Sequence, residues 1–285
     1  MHKSVCFFLI LFLGLSSLKS QNFPFQLGNK TPEITFDEID LSFGEEPNPT
    51  IDLYNKLEIG NQKPVFEKEA TYPNKKRYLS QSGKIEMAKV VINPNVRVET
   101  RETLYYDQYG WKEVRLIHEK QKVSMMGFNQ MNESFKLTIM DGENLATVDL
   151  EKLTGGLSKN AFYEDLADMT KAQEQKFAKG VSEGMNVKTE ELSPEVVAGK
   201  TCQVTRVNTY LQVDTITMVT TMYQWKHIPL MSESKGMGSV IKEQAFKVEE
   251  GNVPQKLFYL PEDVKLSKFS MDEIPGLDAL KNRNK

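Results

Sequence analysis

The sequence of 285 residues predicts a mainly β protein with few helices, in the α+β class, whose strands form an antiparallel meander. Three observations predict this fold. Apolar and polar residues alternate in several short segments, which is typical of strands with one buried face. Some of these segments flank turns typical of β-hairpins, and one helical segment separates an earlier from a later group of strands. We therefore expect one antiparallel sheet interrupted by a single helix.

Two hairpins are predicted in the first group of strands. Residues 96–101 alternate apolar or small side chains with charged ones, and the alternation resumes at residues 114–116 beyond a glycine-containing turn. Residues 135–139 alternate in the same way, and the alternation returns in residues 146–150. Between them lies Asp141-Gly142, a pair that favours the tight primed turns of hairpins. Each pair of segments is therefore predicted to form adjacent antiparallel strands.

An amphipathic helix is predicted between residues 160 and 180. Asn160 is a suitable N-cap and Gly180 a suitable C-terminal stop. The apolar residues that fall near one face of this helix are Phe162, Leu166, Met169 and Phe177. Strands are predicted again after the helix, where β-branched and aromatic residues are frequent, at residues 204–207, 215–225, 246–249 and 257–260.

Residues 1–20 have the features of a secretory signal peptide, with a short basic start and an apolar run over residues 5–15. That run is shorter than the ~20 residues of a membrane-spanning helix. We expect cleavage near Ser20, and an uncleaved anchor is the alternative. Cys6 lies inside the run and no cysteine directly follows it, so no lipid anchor is expected. The sequence thus predicts an exported, soluble protein of the periplasm, or otherwise of the medium.

The remaining chain divides into three predicted parts. Residues 21–75 form an acidic leader with ten Asp or Glu against five Lys, and its six prolines predict loose order. The leader is interpreted as a linker or as an arm that docks an envelope protein. Residues 76–268 form the β domain, and residues 269–285 form a charged tail.

Several functions are excluded by what the sequence lacks. The charges of residues 76–285 balance, which disfavours nucleic acid and anionic membrane surfaces as partners. His118 is in phase with the apolar residues of its segment and is predicted to be structural, while His227 lies at a strand end. Cys202 is predicted to be a buried, inert thiol. No zinc-ligand spacing and no Gly-x-Ser-x-Gly motif occurs, so we expect no catalytic residues, metal or cofactor.

Methionine is frequent among the predicted strands, and its flexible, polarizable side chain suits a surface that adapts to apolar ligands. A strongly curved sheet with such residues on one face, closed by the helix, would enclose an apolar cavity. The alternative is that these residues fill an ordinary core. The candidate cavity residues are Val98, Leu104, Val114, Leu116, Phe135, Leu137, Ile139, Phe162, Leu166, Met218, Met222, Trp225 and Phe246.

Three later segments carry a family resemblance. Residues 197–204 read Val-Ala-Gly-Lys-Thr-Cys-Gln-Val, residues 223–230 read Tyr-Gln-Trp-Lys-His-Ile-Pro-Leu, and residues 253–261 end in Leu-Phe-Tyr-Leu-Pro. Their order resembles the LolA/LolB-like superfamily of periplasmic lipoprotein carriers, in particular an uncharacterised exported branch, over residues 76–265. The resemblance implies an incomplete antiparallel β-barrel with a helical lid over an apolar cavity able to take acyl chains.

The sequence therefore predicts one of two functions. The first is an exported binding protein of the bacterial cell envelope that holds a lipid, a lipoprotein acyl chain or another apolar ligand. The second is a structural or protein-interaction module of the envelope with a filled core and a docking leader. Neither is an enzyme.

Overall fold

The computed structural model describes residues 33–57, 63–66, 70–125, 128–160, 186–210, 216–260 and 263–268, and its main feature is a large curved sheet. One α-helix, α1 (Pro49–Lys56), precedes the strands of this sheet. The strands are β1 (Lys63–Pro64), β2 (Gly83–Asn93), β3 (Val96–Asp107), β4 (Lys112–Met125), β5 (Phe128–Asp141), β6 (Asn144–Asp149), β7 (Thr154–Lys159), β8 (Asn186–Val197), β9 (Lys200–Tyr210), β10 (Ile216–Trp225), β11 (Ile228–Gly236), β12 (Ser239–Glu250), β13 (Tyr259–Leu260) and β14 (Lys265–Lys268).

Twelve of the strands form one sheet in the order β14-β7-β6-β5-β4-β3-β2-β12-β11-β10-β9-β8. All neighbours are antiparallel except β14 and β7, which run parallel. In the part of the chain described here, β14 and β8 are the two edges and the sheet does not close. The predicted fold class, mainly β with a strongly curved, incomplete antiparallel barrel, is confirmed.

Both predicted hairpins are present. Strands β3 and β4 pair from Val96 to Asp107, and β5 and β6 pair across a two-residue turn. Gly142 is the first residue of that turn and takes φ 58°, a conformation that favours glycine. Local alternation and turn chemistry therefore sufficed to predict these strands.

One predicted strand differs from the structure, and one predicted helix lies outside the described residues. The sequence predicts one strand over residues 257–260, but a 3₁₀ helix (Gln255–Phe258) occupies the first half of this segment. Only β13 remains extended, and it pairs with β1 outside the main sheet. Leu257 and Phe258 point into the core from the 3₁₀ turn, which explains their apolar character. The helix predicted at residues 160–180, with Phe162 and Leu166, lies outside the described residues, as do residues 1–20 and 269–285.

The two faces of the sheet differ, and each is named here after a residue of β4. The Val114 face carries Val114 and Leu116, and the Arg115 face carries Arg115 and its cross-strand neighbour Leu104. Because side chains alternate along a strand, register assigns every regular position of β2 to β6 to one of these faces.

The Val114 face is filled with apolar side chains. Its central cluster joins β4, β5 and β6 to α1 and to residues 253–260. The fully or nearly buried members are Tyr54, Val114, Leu116, Leu137, Ile139, Ala146, Val148, Leu150, Val253, Leu257, Phe258 and Leu260. This cluster is an ordinary close-packed core.

Residues 33–57 of the leader cover the rest of the Val114 face. Ile39 and Leu41 are buried against Ala88, Val90 and Val240. Two 3₁₀ helices (Phe36–Glu38 and Ser42–Glu45) precede α1 in this segment. The expectation of loose order is therefore not met by residues 33–57, because their scattered apolar residues have a sheet to pack against.

The start of α1 is fixed to the sheet by one side chain. Asn48 is the N-cap, and its Oδ1 accepts a hydrogen bond from the Thr50 amide at 3.0 Å. Its Nδ2 donates to the Leu116 carbonyl at 2.8 Å and to Thr103 Oγ1 at 3.2 Å. Pro49 occupies the first helical position, where its missing N–H costs nothing. Pro49 is one of the six prolines from which loose order is predicted, and it is the first residue of a helix.

Among the described residues, no helix is both long enough and apolar enough to cross a membrane.

Candidate functional site

An ion network occupies the Arg115 face at the centre of the sheet. Arg115 on β4 pairs with Glu102 on β3, at 2.6 Å between Nη1 and Oε1. It also pairs with Glu113 of its own strand, at 2.9 Å between Nη2 and Oε2. Arg77 approaches the same Glu113 carboxylate at 3.2 Å, and Tyr78 Oη donates to it at 2.7 Å. The Glu113 carboxylate therefore has three different side chains as partners.

The charges of this network stabilise one another. Burial alone would raise the pKa of Glu113, but the guanidiniums of Arg77 and Arg115 and the Tyr78 hydroxyl outweigh it and lower the pKa. Burial would lower the pKa of Arg115, but its acidic neighbours raise it well above the ordinary value. Glu113 is thus ionised, and the network is a paired, hydrogen-bonded polar core.

A second carboxyl on the same face behaves differently. Glu243 on β12 lies opposite Lys89 on β2 and opposite Ser232 on β11. Ser232 Oγ donates to Glu243 Oε2 at 3.5 Å. Burial is the main influence on the Glu243 carboxyl and raises its pKa; nearby Glu102 adds to this, while Lys89 and Arg115 oppose it. The side chain is nevertheless only half-buried, so this acid is deep in the sheet and still reaches solvent.

An apolar row runs beside Glu243. Register aligns Val98 on β3 with Val91 on β2 and Ile241 on β12, and all three are half-buried. These three residues are called the apolar row. It continues onto β11 and β10 as Ser234 and Thr220, whose hydroxyl oxygens lie 2.6 Å apart. The partly exposed side chains of the apolar row therefore lie next to two hydroxyl groups that are hydrogen-bonded to each other.

Met222 borders the row on β10. It lies opposite Ser232, in the same transverse line as Glu243, and is 2% exposed. Its described apolar neighbours are Val207 and Val187. The Arg115 face thus combines adaptable apolar groups with a few convergent polar ones, which is the usual composition of ligand sites.

The predicted cavity residues divide between the two faces. Val114, Leu116, Phe135, Leu137 and Ile139 pack in the core cluster of the Val114 face. Phe246 packs with the leader cluster of the same face. Residues on opposite faces of a sheet cannot line one cavity. These six residues lie in filled core clusters, as the alternative of an ordinary core predicts.

The other described candidates lie on or beside the Arg115 face. Register places Val98, Leu104, Met218 and Met222 there. Trp225 packs against the cluster that contains Leu104 and Ile85. Phe162 and Leu166 lie outside the described residues.

His118 is buried on the Val114 face, in agreement with its predicted structural role. Its Nε2 lies 2.6 Å from Glu133 Oε1, and its ring stacks on Phe135 at 4.9 Å between centroids. A small open cavity of about 50 Å³ lies beside it, lined by Phe43, Glu99, Arg101, His118 and Lys120. This volume is below the roughly 300–1,000 Å³ of typical ligand pockets.

The remaining reactive groups are also accounted for. Cys202 is fully buried, and burial raises the pKa of its thiol. His227 is exposed in the turn between β10 and β11 and takes φ 65°. Among the described residues, no group of three or more His, Cys, Asp or Glu side chains could hold a metal ion.

Sequence reasoning missed the carboxylates of the Arg115 face, Glu113 and Glu243. Glu113 and Arg115 are two positions apart in a strand that is otherwise apolar on alternate positions. That spacing puts both on one face and was a usable signal. No such signal existed for Glu243. Its neighbours, Lys89 on β2 and Ser232 on β11, come to lie opposite it only when the strands pair in register.

No protein-family model matches the chain, and no curated protein matches it in sequence. Solved structures are similar to it at low identity. An uncharacterized conserved protein from Thermus thermophilus is 9% identical with a TM-score of 0.39, over 67% of this chain and 92% of that one. A β-barrel-like protein of the domain of unknown function DUF1849 from Brucella abortus is 6% identical with a TM-score of 0.35, over 61% and 100%. MucB is 12% identical with a TM-score of 0.33, over 67% of this chain and 59% of MucB.

Proposed function

We propose that the chain is an exported binding module of the bacterial cell envelope, which holds a lipid, a lipoprotein acyl chain or another apolar ligand against its Arg115 face. The proposal rests on the apolar row of the Arg115 face, which stays half-buried although a buried cluster with Ile85, Leu104 and Tyr106 fills another part of that face. The Val114 face is filled by its own core and by residues 33–57. On the Arg115 face, the apolar row remains half-buried beside polar groups that lie deep in the sheet. Such a combination is typical of ligand pockets.

The chemistry of this face favours a ligand with an apolar chain and a polar end. The apolar row would contact the chain, and Met222 would adapt to different chain shapes. Glu243 would meet the polar end, since its raised pKa makes the carboxyl a hydrogen-bond donor more readily than an ordinary glutamate. Lys89 lies opposite and supplies a positive charge for a phosphate or carboxylate.

Export is the second part of the proposal. It is supported by the signal-peptide pattern of residues 1–20 and by the resemblance of residues 197–204 and 223–230 to the LolA/LolB-like carriers. We propose release into the periplasm after cleavage near Ser20, with the medium as the alternative. The protein recovered from a periplasmic extract should have the mass of a chain that begins at Gln21. Retention of the full-length mass in the membrane fraction would contradict release.

We further propose that the module is not an enzyme and uses no cofactor. Cys202 is buried, and the described contacts of His118 are to Glu133 and Phe135, neither of which is a hydroxyl or thiol nucleophile. Binding is therefore the activity to measure.

Native mass spectrometry of the protein purified from its own host tests the binding proposal. The wild-type protein should carry extractable lipid, and the variant Ile241→Asp should lose it, because a carboxylate in the apolar row is incompatible with an acyl chain. Met237→Asp is the matched control, since Met237 is 46% exposed in the turn between β11 and β12. Both variants should retain the wild-type circular dichroism spectrum. Ligand-free wild-type protein, or equal lipid in Ile241→Asp, would contradict the proposal.

The alternative is an interaction module whose leader docks an envelope protein. The filled Val114 face supports one part of this alternative, the filled core. Residues 33–57, however, pack on their own sheet, so docking through the leader would require their release or the use of other leader residues. Deletion of residues 21–32 alone should leave the fold intact, and loss of a partner from pull-downs would support this alternative.

A further inference from the structure

The end of the β4–β5 hairpin is a second surface, separate from the proposed binding face. Strands β4 and β5 pair over their whole length, up to Met125 opposite Phe128. Strand β6 accompanies β5 only from Lys136 onward. Residues 128–134 of β5 therefore have a strand neighbour on one side only within the described sheet.

This edge is exposed and uncharged over most of its length. Phe128 is 80% exposed and Met131 is 65% exposed. No charged residue and no proline occurs in residues 123–132. Strands with these properties readily pair with a further strand, because their outward N–H and C=O groups are available and nothing repels a partner.

The two outer edges of the sheet are built differently. Strand β8 carries Lys188, Glu190, Glu191, Pro194 and Glu195. Strand β14 is four residues long, with lysine at both ends. Charge, proline and short length are the usual protections of an edge strand. Residues 128–134 contain no proline and a single charged residue, Glu133, near one end.

We propose that residues 128–134 pair antiparallel with the same segment of a second copy of this chain, around a two-fold axis at Met131. Such a contact is isologous and closed, so it forms a dimer and not a filament. Met131 is the middle residue of the seven, so this register uses the whole segment. The residues beyond it are occupied, since Leu150 N donates to Phe135 O at 2.9 Å.

The proposed register is complementary to itself. Glu133 stands opposite Asn129 of the second copy, so the two like charges do not face each other and each carboxylate meets an amide. Gln130 stands opposite Asn132, which pairs two amide side chains. Met131 meets its own symmetry copy, which buries two side chains that are mostly exposed in one chain.

Sedimentation equilibrium of the purified protein, over a wide range of concentration, tests the dimer. The wild-type protein should show a reversible monomer–dimer equilibrium. Met131→Lys and Met131→Glu should each weaken the dimer about tenfold or more, because the introduced charge meets its own copy at the axis. Met237→Lys is the matched control, a similar change at an exposed methionine of another hairpin turn.

Mixing the two charged variants tests the register itself. Equimolar Met131→Lys and Met131→Glu should form a heterodimer, since opposite charges then meet at the axis. A wild-type protein that stays monomeric overturns the proposal, as does a dimer that persists in Met131→Lys or a mixture that stays monomeric. Co-sedimentation of monomeric protein with neutral phosphatidylcholine vesicles would assign the exposed tip to a lipid surface instead and would equally overturn it. The result is independent of whether the Arg115 face binds lipid.

Discussion

Glu113 and Arg115 stand two residues apart on β4 and form an ion pair of 2.9 Å on the face of the sheet opposite the main apolar core. The Glu113 side chain is 4% exposed. Alternation along the strand places both residues on one face, and Arg77 and Tyr78 complete the partners of the carboxylate. This pair gives the Arg115 face a fixed polar end.

We expect Glu113→Gln to lower the free energy of unfolding by about 3–5 kcal/mol at neutral pH, because two guanidiniums lose a buried charge partner. The lowered pKa of Glu113 means that its contribution is present above the ordinary glutamate pKa and is lost as pH falls through the lowered value. The difference between the variant and the wild-type protein should therefore shrink in acid. Urea unfolding at about pH 7 and about pH 3 measures it. Glu249→Gln, at an exposed ion pair, should change little at either pH.

We expect Glu243→Gln to leave the protein equally or more stable at neutral pH. Because the pKa of Glu243 is raised, its contribution favours folding below the ordinary glutamate pKa and is lost as pH rises through the raised value. The amide is neutral at every pH and removes this loss. Thermal unfolding midpoints at about pH 4 and about pH 7 should differ less in the variant than in the wild-type protein. Identical pH profiles would show that the carboxyl titrates normally.

Asn48→Ala tests whether the leader is held by its cap. The variant loses the N-cap of α1, worth about 1 kcal/mol, and the hydrogen bond to the Leu116 carbonyl, worth about 0.5–1.5 kcal/mol more. Asn48→Ser keeps a capping oxygen but lacks the amide donor, so it separates the two effects. Limited proteolysis should cut residues 33–57 faster in Asn48→Ala than in Asn95→Ala, a control in an exposed turn. Equal rates would mean that Asn48 does not hold the segment.

Gly44→Ala should destabilise the protein through a steric overlap. A Cβ at this position would overlap the ring of Phe246 and lie 2.5 Å from Ala88 Cβ, where the leader crosses the sheet. We expect a cost of about 1–3 kcal/mol. Gly156→Ala is the matched control, because its nearest neighbour is a backbone oxygen at 3.9 Å and its conformation suits alanine. Similar unfolding midpoints for the two variants would mean that the leader shifts freely away from β2.

Much of the sheet could be predicted from short segments of sequence. The pairing of β3 with β4 and of β5 with β6 follows from period-two alternation and from turns that join neighbours in the chain. The buried position of His118 follows from its phase with Val114 and Leu116. These features depend on residues within one hairpin, and local sequence carries them.

The candidate site could be predicted only in part. Met222 and Val98 were selected because they are apolar residues of predicted strands, and they lie on the Arg115 face. Leu137 and Ile139 were selected for the same reason and lie in the filled core. Alternation shows that a strand has two faces, but it does not show which face the rest of the chain will cover.

By itself, the sequence determined that this chain forms an antiparallel sheet with few helices, because side-chain alternation and turn residues act over a few neighbouring positions. Only the tertiary structure decided that residues 33–57 fill the Val114 face, that Arg115 and Glu102 meet across two strands, and that Glu243 lies deep beside Lys89. The first and third of these features join residues far apart in the chain, and the Arg115–Glu102 pair depends on the exact register of one hairpin. Their energies come from burial and charge pairing, which exist only after the strands have taken their register.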